Sequence, residues 1–380
     1  MNMIRWAVLL PALAGILFLS GCSGAGTPPI AAQACDRWMS YAKHFVQQDG
    51  RVIEHSQSNR TTSEAQAYAL FFSLVANDRE RFDTILKWTE NNLAKGNLSK
   101  NLPSWLWGQN EGKQWQVIDA NPASDADLWL AYTLIQAGRL WNVARFKSLG
   151  EAMLGNVEQH EVVKIPNMGS MLLPTLKSTI VNDPVWRLNP SYTPIQLLRF
   201  FSIYKSDGPW SSMLKSTGKM IAMHSVKGLL PDWIMYERNK SRLYLDGNAI
   251  MSYDAIRVYL WAGMLDKDDP LRSDVVPYLY GITKYLEGEG RIPAEVNLAT
   301  RRTATTFPVG FAAAVLPLLK TGHFSSAYET QFKWLESKTK QCLLETPPVY
   351  YDNSLAMFFY GWESGGFSFG LAGELQVSWL

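Results

Sequence analysis

The sequence predicts an all-α protein, an (α/α)6 barrel of six helical hairpins with an acidic substrate cleft at one rim. Three observations carry this prediction. Apolar residues recur with helical spacing along most of the chain after about residue 35. Turn-forming residues divide the helical stretches into pairs. Three short acidic motifs recur at intervals of about one and two such pairs, which would place them at the same end of parallel helices.

Twelve candidate helices follow one another along the chain, each indicated by its apolar spacing and by the turn residues beside it. They run approximately over 36–48, 63–76, 79–94, 125–138, 141–159, 192–204, 208–225, 248–264, 270–286, 307–319, 323–337 and 352–361. Turn signals within successive pairs are Asn77-Asp78, Gly138, Asp207-Gly208, the run 266–270 and Gly322. Helices separated by whole hairpins point the same way in such a barrel, so their N-terminal ends share one rim.

The first 22 residues have the pattern of an export signal. Arg5 supplies a positive charge, an apolar run extends from Ala7 to Leu19, and Leu19-Ser20-Gly21-Cys22 resembles a lipobox. The apolar run is too short to span a bilayer comfortably. We therefore expect a periplasmic lipoprotein, cleaved and lipidated at Cys22 and attached to the membrane through that lipid only. Ordinary cleavage, giving a soluble periplasmic or secreted protein, is the alternative.

Residues 23–34 are rich in Gly, Pro and Ala and predict a flexible tether, and residues 35–380 predict one domain without an internal linker. Cys35 lies at the start of this domain and Cys342 near its end. In an oxidising compartment the two cysteines could form a disulfide. Two free, buried thiols are the alternative, because sequence alone does not establish that their Cα atoms lie within bonding range.

The composition favours a carbohydrate ligand and disfavours nucleic acid. Hydrophobic residues make up 47% of the chain, which is enough for a large core, and the formal net charge is only +2 without a basic stripe. The chain has 15 tryptophans and 16 tyrosines, many of them beside Pro, Gly, Asn or Asp and outside any helical stripe. This distribution is typical of aromatic residues that line a cleft as well as fill a core.

Three acidic motifs place a carboxylate at or near the start of a predicted helix. They are Thr61-Thr62-Ser63-Glu64, Ala123-Ser124-Asp125-Ala126-Asp127-Leu128-Trp129 and Ser252-Tyr253-Asp254-Ala255-Ile256-Arg257. Glu64 could simply complement a helix dipole, and Asp125 could cap its helix. Asp254 could form an ion pair with Arg257. However, Asp125 and Asp127 are like charges within one turn, which is unfavourable unless a ligand, a cation or hydrogen-bond donors compensate them. Separate carboxylates among many tryptophans indicate a site that binds and cleaves a sugar polymer.

Other chemistries are disfavoured. The histidines show no pair or His-Glu motif with zinc-ligand spacing; they are His44, His55, His160, His224 and His323. The run Gly366-Phe367-Ser368-Phe369-Gly370 matches a serine-hydrolase elbow formally, but no histidine follows it. Gly288-Glu289-Gly290 lacks the third glycine of a dinucleotide loop. We therefore expect no metal and no cofactor.

A series of motifs resembles glycoside hydrolase family 8 over about residues 36–375, in the family's order. Besides the three acidic motifs they are Gly50-Arg51-Val52-Ile53, Leu102-Pro103-Ser104-Trp105-Leu106-Trp107-Gly108, Gly169-Ser170-Met171-Leu172-Leu173-Pro174, Asn189-Pro190-Ser191-Tyr192 and Pro308-Val309-Gly310-Phe311. The resemblance implies an endo-β-1,4-glucanase that hydrolyses cellulose or a related β-glucan with inversion. It also implies that the enzyme trims nascent cellulose during synthesis and export, with a cellulose synthase complex as partner.

The resemblance further implies a role for each acid. Glu64 matches the family's general acid, and Asp254 matches the general base that activates a water molecule. For an inverting reaction their carboxyl groups should lie roughly 6.5–9.5 Å apart. Asp125 matches a third acid, which would hold hydroxyl groups of the distorted sugar ring because inversion forms no covalent intermediate. Tyr192 matches a tyrosine close to that ring.

The remaining substrate-binding candidates are Trp107, with Trp105 and Trp186 as weaker stacking candidates, and the polar residues Asp127 and Arg257. Core packing is the alternative for each tryptophan.

Two other functions stay open at this point. One is a non-catalytic glycan-binding lipoprotein, which the presence of all three acids disfavours because binding alone has little use for isolated carboxylates. The other is a family 8 hydrolase of chitosan or xylan; the loop with Trp105 and Trp107 favours glucan. Nothing in the sequence indicates more than a monomer.

Overall fold

Helices dominate the computed structural model, which describes residues 35–180 and 182–380. The predicted signal, the lipobox with Cys22 and the tether lie outside the described residues. The helices are α1 Arg37–Phe45, α2 Ser63–Val75, α3 Arg79–Leu93, α4 Ser124–Leu140, α5 Ala144–His160, α6 Lys177–Ile180, α7 Ile195–Tyr204, α8 Trp210–His224, α9 Ile256–Gly263, α10 Arg272–Val275, α11 Gly281–Glu289, α12 Val309–Thr321, α13 Ser325–Ser337 and α14 Tyr350–Glu363.

Six of these helices form a closed inner ring. Contacts run from α2 to α4, α7, α9, α12 and α14 in turn, and α14 returns to α2. Their sequences explain the position: every residue of α9 is buried, and α4 and α12 are buried along nearly their whole length. A helix that is apolar on all sides has no face suited to water and belongs in the centre.

An outer layer of amphipathic helices surrounds the ring. In α5, for example, only Phe146, Gly150, Met153, Leu154 and Val157 are buried. The outer helices pack on inner partners as α3 on α2, α5 on α4, α8 on α7, α13 on α12 and α1 on α14, while α9 contacts the helical turn Val276–Leu279 that follows α10. This architecture confirms the predicted (α/α)6 class. The pair formed by α1 and α14 joins the two ends of the described chain.

Two predicted helices differ from the structure. The prediction over 248–264 begins too early, because Ile250–Met251 forms a strand and the helix starts at Ile256. The prediction over 270–286 is divided into α10, Val276–Leu279 and α11, since Pro277 cannot continue the hydrogen-bond ladder of a helix. Gly138, interpreted as a turn, lies inside α4, where a Cβ atom would lie 2.6 Å from the Lys147 backbone nitrogen.

Short strands, which the sequence analysis missed, connect the helices at the ends of the ring. They are β1 Thr61–Thr62, β2 Leu106–Gln109, β3 Trp115–Asp119, β4 Val162–Ile165, β5 Gly169–Leu172, β6 Val185–Leu188, β7 Ile234–Glu237, β8 Arg242–Tyr244, β9 Ile250–Met251, β10 Val296–Asn297, β11 Thr339–Lys340, β12 Leu343–Leu344, β13 Phe367–Phe369 and β14 Leu375–Val377. β1, β2 and β3 form one antiparallel sheet, and β6, β7 and β8 form another.

Cys35 and Cys342 are both disulfide-bonded. Within residues 35–180 and 182–380, no helix has the combined length and apolar character of a membrane span.

The close contact between α4 and α5 can be tested at glycines of a single helix. A Cβ atom on Gly150 would lie 2.8 Å from the Ala131 carbonyl oxygen, whereas one on Gly155 would meet nothing within 4 Å. We expect Gly150→Ala to lower the free energy of unfolding by about 1–3 kcal/mol through overpacking. The matched control Gly155→Ala should raise it by about 0.5–1 kcal/mol through helix propensity. Urea unfolding measures both, and equal effects would contradict the close packing.

Candidate active site

A buried arginine connects the three acids that the sequence analysis selected. Arg257, in the first turn of α9, is 2% exposed. Its Nη1 atom donates to Glu64 and, at 2.9 Å, to Asp125, while its Nη2 atom donates to Asp254 at 2.6 Å. The three carboxylates come from the starts of α2 and α4 and from the residues just before α9. The N-terminal ends of three inner helices therefore meet at one rim, and one guanidinium group lies among them.

Glu64 is positioned by the start of α2 and by the sheet beside it. The Thr62 hydroxyl group caps the helix by accepting from the Ala65 backbone at 3.1 Å, and it donates to Glu54 at 3.1 Å. Arg60 holds Glu54 in turn through a 2.8 Å ion pair. The Ser63 backbone donates to the carbonyl oxygen of Trp105 at 2.9 Å, so this tryptophan is fixed beside the acid.

Asp125 lies in the first turn of α4 and is 3% exposed. It does not cap the helix: the N-cap residue is Ala123, which makes no side-chain cap bond. One carboxylate oxygen of Asp125 accepts from the next backbone amide at 2.9 Å, and the other accepts from Arg257. Because the helix does not need this carboxylate as a cap, its position at the cavity calls for another role.

Asp254 is held by an acid that the sequence analysis missed. The Asp232 carboxylate accepts from the backbone nitrogens of Ser252 and Ala255, each at 2.8 Å, and from the Ser252 hydroxyl group. These bonds fix the turn that carries Asp254 between β9 and α9. The Asp254 side chain is 27% exposed, the most accessible of the three acids.

The environment separates the protonation behaviour of these groups. Burial raises the pKa of Glu64 to about 8; Arg257 opposes this shift, and the carboxylates Asp125, Glu54 and Asp254 add to it. Burial also raises the pKa of Asp125, again against Arg257. Burial raises the pKa of Asp232 to about 6. Glu64 is therefore protonated at neutral pH, as a proton donor must be.

The three acids open into a cavity of about 730 Å³. Aromatic residues form much of its wall, and those that line it are Trp105, Tyr192, Trp233, Tyr253, Tyr350 and Tyr351. Tyr192 lies over the guanidinium group, 5.5 Å from the Arg257 Cζ atom to the ring centre. Apolar ring faces beside carboxylates suit a sugar chain, which presents flat C–H faces and hydroxyl edges.

Two of the predicted stacking tryptophans do not line this cavity. Trp107 packs edge-on against Trp88, with ring centres 5.7 Å apart. Trp105, in contrast, is 37% exposed and does line the cavity. The register of β2 against β3 shifts between Leu106 and Trp107, so the two tryptophans do not follow one regular alternation. Trp186 requires correction, because only 8% of it is exposed and it does not line the cavity. Its ring contacts Tyr236 and the Arg238 guanidinium group instead.

Asp127, predicted to bind substrate, also requires correction. It is fully buried and is not part of the cavity wall. Two residues along an α-helix correspond to a rotation of about 200°, so Asp125 and Asp127 point to nearly opposite sides of α4. Asp125 faces Arg257, whereas Asp127 faces Glu161.

Sequence reasoning missed several wall residues that come from distant segments: Glu54, Arg60, Trp233 and Tyr351. No sequence pattern signalled Tyr351, because its hydroxyl group donates to the backbone carbonyl oxygen of Tyr253, an acceptor that any residue at that position would offer. Among the residues that the structure describes, no group of His, Cys, Asp and Glu is arranged to hold a metal ion.

Comparisons with known proteins give one family. The model of the family described as "Glycosyl hydrolases family 8" matches residues 11–365. An endoglucanase of Escherichia coli O157:H7 is 39% identical over 354 residues, 92% of each chain. An endoglucanase of Salmonella typhi is 37% identical over 385 residues, 100% of this chain and 98% of the relative. The crystal structure of an endo-1,4-D-glucanase from Vibrio fischeri ES114 aligns with a TM-score of 0.79 at 34% identity, covering 90% of this chain and 99% of that one.

The central arginine predicts a stability loss that depends on pH. Arg257→Met would leave the three acids of the cavity, the buried Asp125 among them, without their cation, so we expect a loss of about 3–5 kcal/mol in the free energy of unfolding at pH 8. A carboxyl group with a raised pKa binds more protons in the folded state than in the unfolded state, so its destabilising effect grows as pH rises above its unfolded value. The loss should therefore be clearly smaller at pH 5.

Urea unfolding at both pH values tests this expectation. Arg199→Met is the matched control, because among the described residues Arg199 forms an ion pair with a single carboxylate, Asp269, at 2.8 Å. The loss in free energy of unfolding caused by Arg199→Met should change less between pH 5 and pH 8. A penalty for Arg257→Met that is the same at pH 5 and pH 8 would contradict the charge balance described here.

Proposed function

The chain belongs to family 8 of the glycosyl hydrolases, and on that premise we propose that it is an endo-β-1,4-glucanase that hydrolyses cellulose or a related β-glucan. The observation that carries the proposal is the convergence of Glu64, Asp125 and Asp254 on one guanidinium group beneath an aromatic wall. The names of the relatives support the glucan as substrate.

Glu64 is the proposed general acid. Its raised pKa of about 8 keeps a proton on the carboxyl group at neutral pH. That proton passes to the glycosidic oxygen as the bond to the anomeric carbon breaks, which avoids releasing an alkoxide. Arg257 contacts the same carboxyl group, so it stabilises the carboxylate that the transfer leaves behind.

Asp254 is the proposed general base. Its side chain is more open than those of the other two acids, which leaves room for a water molecule at the cavity. The Asp232 bonds fix its backbone, and Arg257 fixes one of its oxygens, so the other oxygen can accept a proton from that water. The guanidinium group lies between Asp254 and Glu64, and this arrangement supports attack by water from the opposite face of the sugar.

Asp125 and the wall aromatics are proposed to hold the chain. One carboxylate oxygen of Asp125 accepts a hydrogen bond from Arg257. The group is placed to accept hydrogen bonds from hydroxyl groups of the sugar ring at the cleavage point. Trp105, with 37% of its surface exposed, provides a face for stacking. The Tyr192 ring lies against the guanidinium group, and burial raises the pKa of its phenol further above neutral, so it is available as a hydrogen-bond donor.

The biological setting remains a prediction from the sequence. We propose export to the periplasm and trimming of nascent cellulose beside a cellulose synthase. Support comes from the residue 1–22 pattern and from the family resemblance. A lipid anchor at Cys22 is part of this prediction.

The roles of the acids can be tested with amide variants. We expect Glu64→Gln and Asp254→Asn each to lower reducing-end release from carboxymethylcellulose by about 10²–10⁴-fold, because each removes one proton-transfer group. Circular dichroism and thermal unfolding should remain near those of the unmodified domain. Glu158→Gln, on the outer helix α5, is the matched control and should keep activity within about twofold.

The same assay separates the alternatives. Binding of cello-oligosaccharides without release of reducing ends would favour the glycan-binding reading. If reducing ends are released from chitosan or xylan but not from carboxymethylcellulose, the substrate is a different β-glycan and the assignment to the family is unchanged. Full activity in Asp254→Asn would exclude the proposed base.

The stereochemistry provides an independent test. Single displacement at a β-linkage gives the α-anomer as the first product. Proton NMR during early hydrolysis of cellopentaose should therefore show the α-anomer ahead of mutarotation. Initial appearance of the β-anomer would require a retaining mechanism and a different role for Asp254.

A further inference from the structure

Two acids below the active site have no role in the reaction described above. Asp127 on α4 and Glu161 at the end of α5 are both fully buried. All four of their carboxylate oxygens are shielded from water, and none receives a hydrogen bond from a donor group in the described part of the chain. Two ionised carboxylates in this condition would be strongly unfavourable, because neither water nor a donor group would compensate for their lost hydration.

A proton resolves this difficulty. The two carboxyl groups act on each other, and Asp125 acts on both; no cation appears among the groups that shift their protonation. Two adjacent buried carboxyl groups cannot both ionise, so the pair keeps at least one proton. Burial and the neighbouring Glu161 carboxyl group raise the pKa of Asp127 well above its usual range. Burial also raises the pKa of Glu161, to about 8, and a hydrogen bond from Asp127 opposes that shift, which is the direction expected when Asp127 is the donor and Glu161 the acceptor.

This hydrogen bond closes a loop of contacts around the start of α4. The Leu173 backbone nitrogen donates to the Glu161 carbonyl oxygen at 2.9 Å. The carbonyl oxygen of Leu173 accepts from the Ser124 hydroxyl group at 2.6 Å, and the Ser124 backbone donates to Pro174 at 3.2 Å. Ser124 is the first residue of α4, the helix that carries Asp127. The contacts therefore run from Asp127 through Glu161 and Leu173 back to the start of the same helix.

The loop joins two walls of the cavity. One wall is the start of α4 with Asp125, and the other is Pro174 and Thr175, which follow β5. Without the hydrogen bond between Asp127 and Glu161, the Ser124 bonds to Leu173 and Pro174 would remain, but the loop would be open on the Glu161 side. A displacement of about 1 Å at a reacting centre can lower a rate by about 10²-fold.

We propose that Asp127 and Glu161 are positioning residues, a hydrogen-bonded carboxyl pair that holds Asp125 in register with the Pro174–Thr175 wall at the cleavage point. The proposal rests on the function proposed above. The pair acts through Asp125 and the wall and does not contact the substrate. A directional hydrogen bond fixes a distance and an angle, whereas apolar side chains of the same volume would fill the space without fixing either.

Variants of matched volume separate positioning from packing. D127N keeps the volume and a donor for Glu161. D127L/E161M keeps approximately the volume of both side chains but removes both polar groups, and such double replacements are often neutral for stability. We expect D127N to retain kcat on cellopentaose within about threefold. D127L/E161M should fold with a Tm near that of the wild type, yet lose about 10–100-fold in kcat with KM changed less than about threefold.

A second measurement does not depend on activity. Hydrogen–deuterium exchange with mass spectrometry should show faster exchange of residues 122–130 and 170–176 in D127L/E161M but not in D127N. Should the double variant not fold, E161A removes the acceptor alone and should show the same loss of kcat and the same faster exchange.

The outcomes are distinct. Wild-type kcat and exchange in a folded D127L/E161M protein would overturn the proposal, as would a loss in D127N equal to that in the double variant. If the wild type cleaves no glycan while exchange responds as expected, the proposed function fails and the link between the two walls stands.

Discussion

One guanidinium group among three carboxyl groups is the interaction on which the site depends. Arg257 carries one positive charge, and Glu64, Asp125 and Asp254 can carry three negative ones between them. A single buried cation cannot compensate for all three, so the least expensive state of the site keeps a proton. Burial places that proton on Glu64, whose pKa is raised to about 8. Burial together with too little positive charge therefore keeps Glu64 protonated, as the proposed reaction requires. After Glu64 has given up its proton, Arg257 stabilises the carboxylate that remains.

Helix α4 stabilises two buried acids in two different ways. Asp125 meets a cation, whereas Asp127, about 200° around the helix, meets a second carboxyl group and shares a proton with it. The ion pair with Arg257 keeps the Asp125 carboxyl group at the cavity. The shared proton between Asp127 and Glu161 lowers the buried charge and leaves a directional hydrogen bond, which suits a contact inside the protein. On the roles proposed above, one aspartate of this turn serves the substrate and the other serves the position of the helix.

The inner helices and the common rim could be predicted from sequence because they depend on local patterns of apolar and turn residues. The starts of α2 and α4 carry their acids within the same short motifs. Residues brought in from elsewhere had no such pattern. Asp232 supports the Asp254 turn through Ser252, twenty residues away, and Glu54 accepts from Thr62. Trp107 was predicted to be the main stacking residue, but Trp105 lines the cavity instead. The register shift between Leu106 and Trp107 breaks the regular alternation of side chains and could not be predicted from the sequence. The early start predicted for the helix over 248–264 has a related cause, since β9 is stabilised by pairing with the distant β10.

The ring of inner helices has a consequence for the order of folding. It closes only when α14 meets α2, a contact between opposite ends of the described chain, and α14 also brings Tyr350 and Tyr351 to the cavity. Contacts between distant segments form late because the intervening chain must first be ordered. A chain that has emerged as far as α9 already contains all three acids, but one side of their surroundings is still water. Hydration would return the pKa of Glu64 towards its ordinary value, so we expect the proposed proton donor to form only after the last helix has docked.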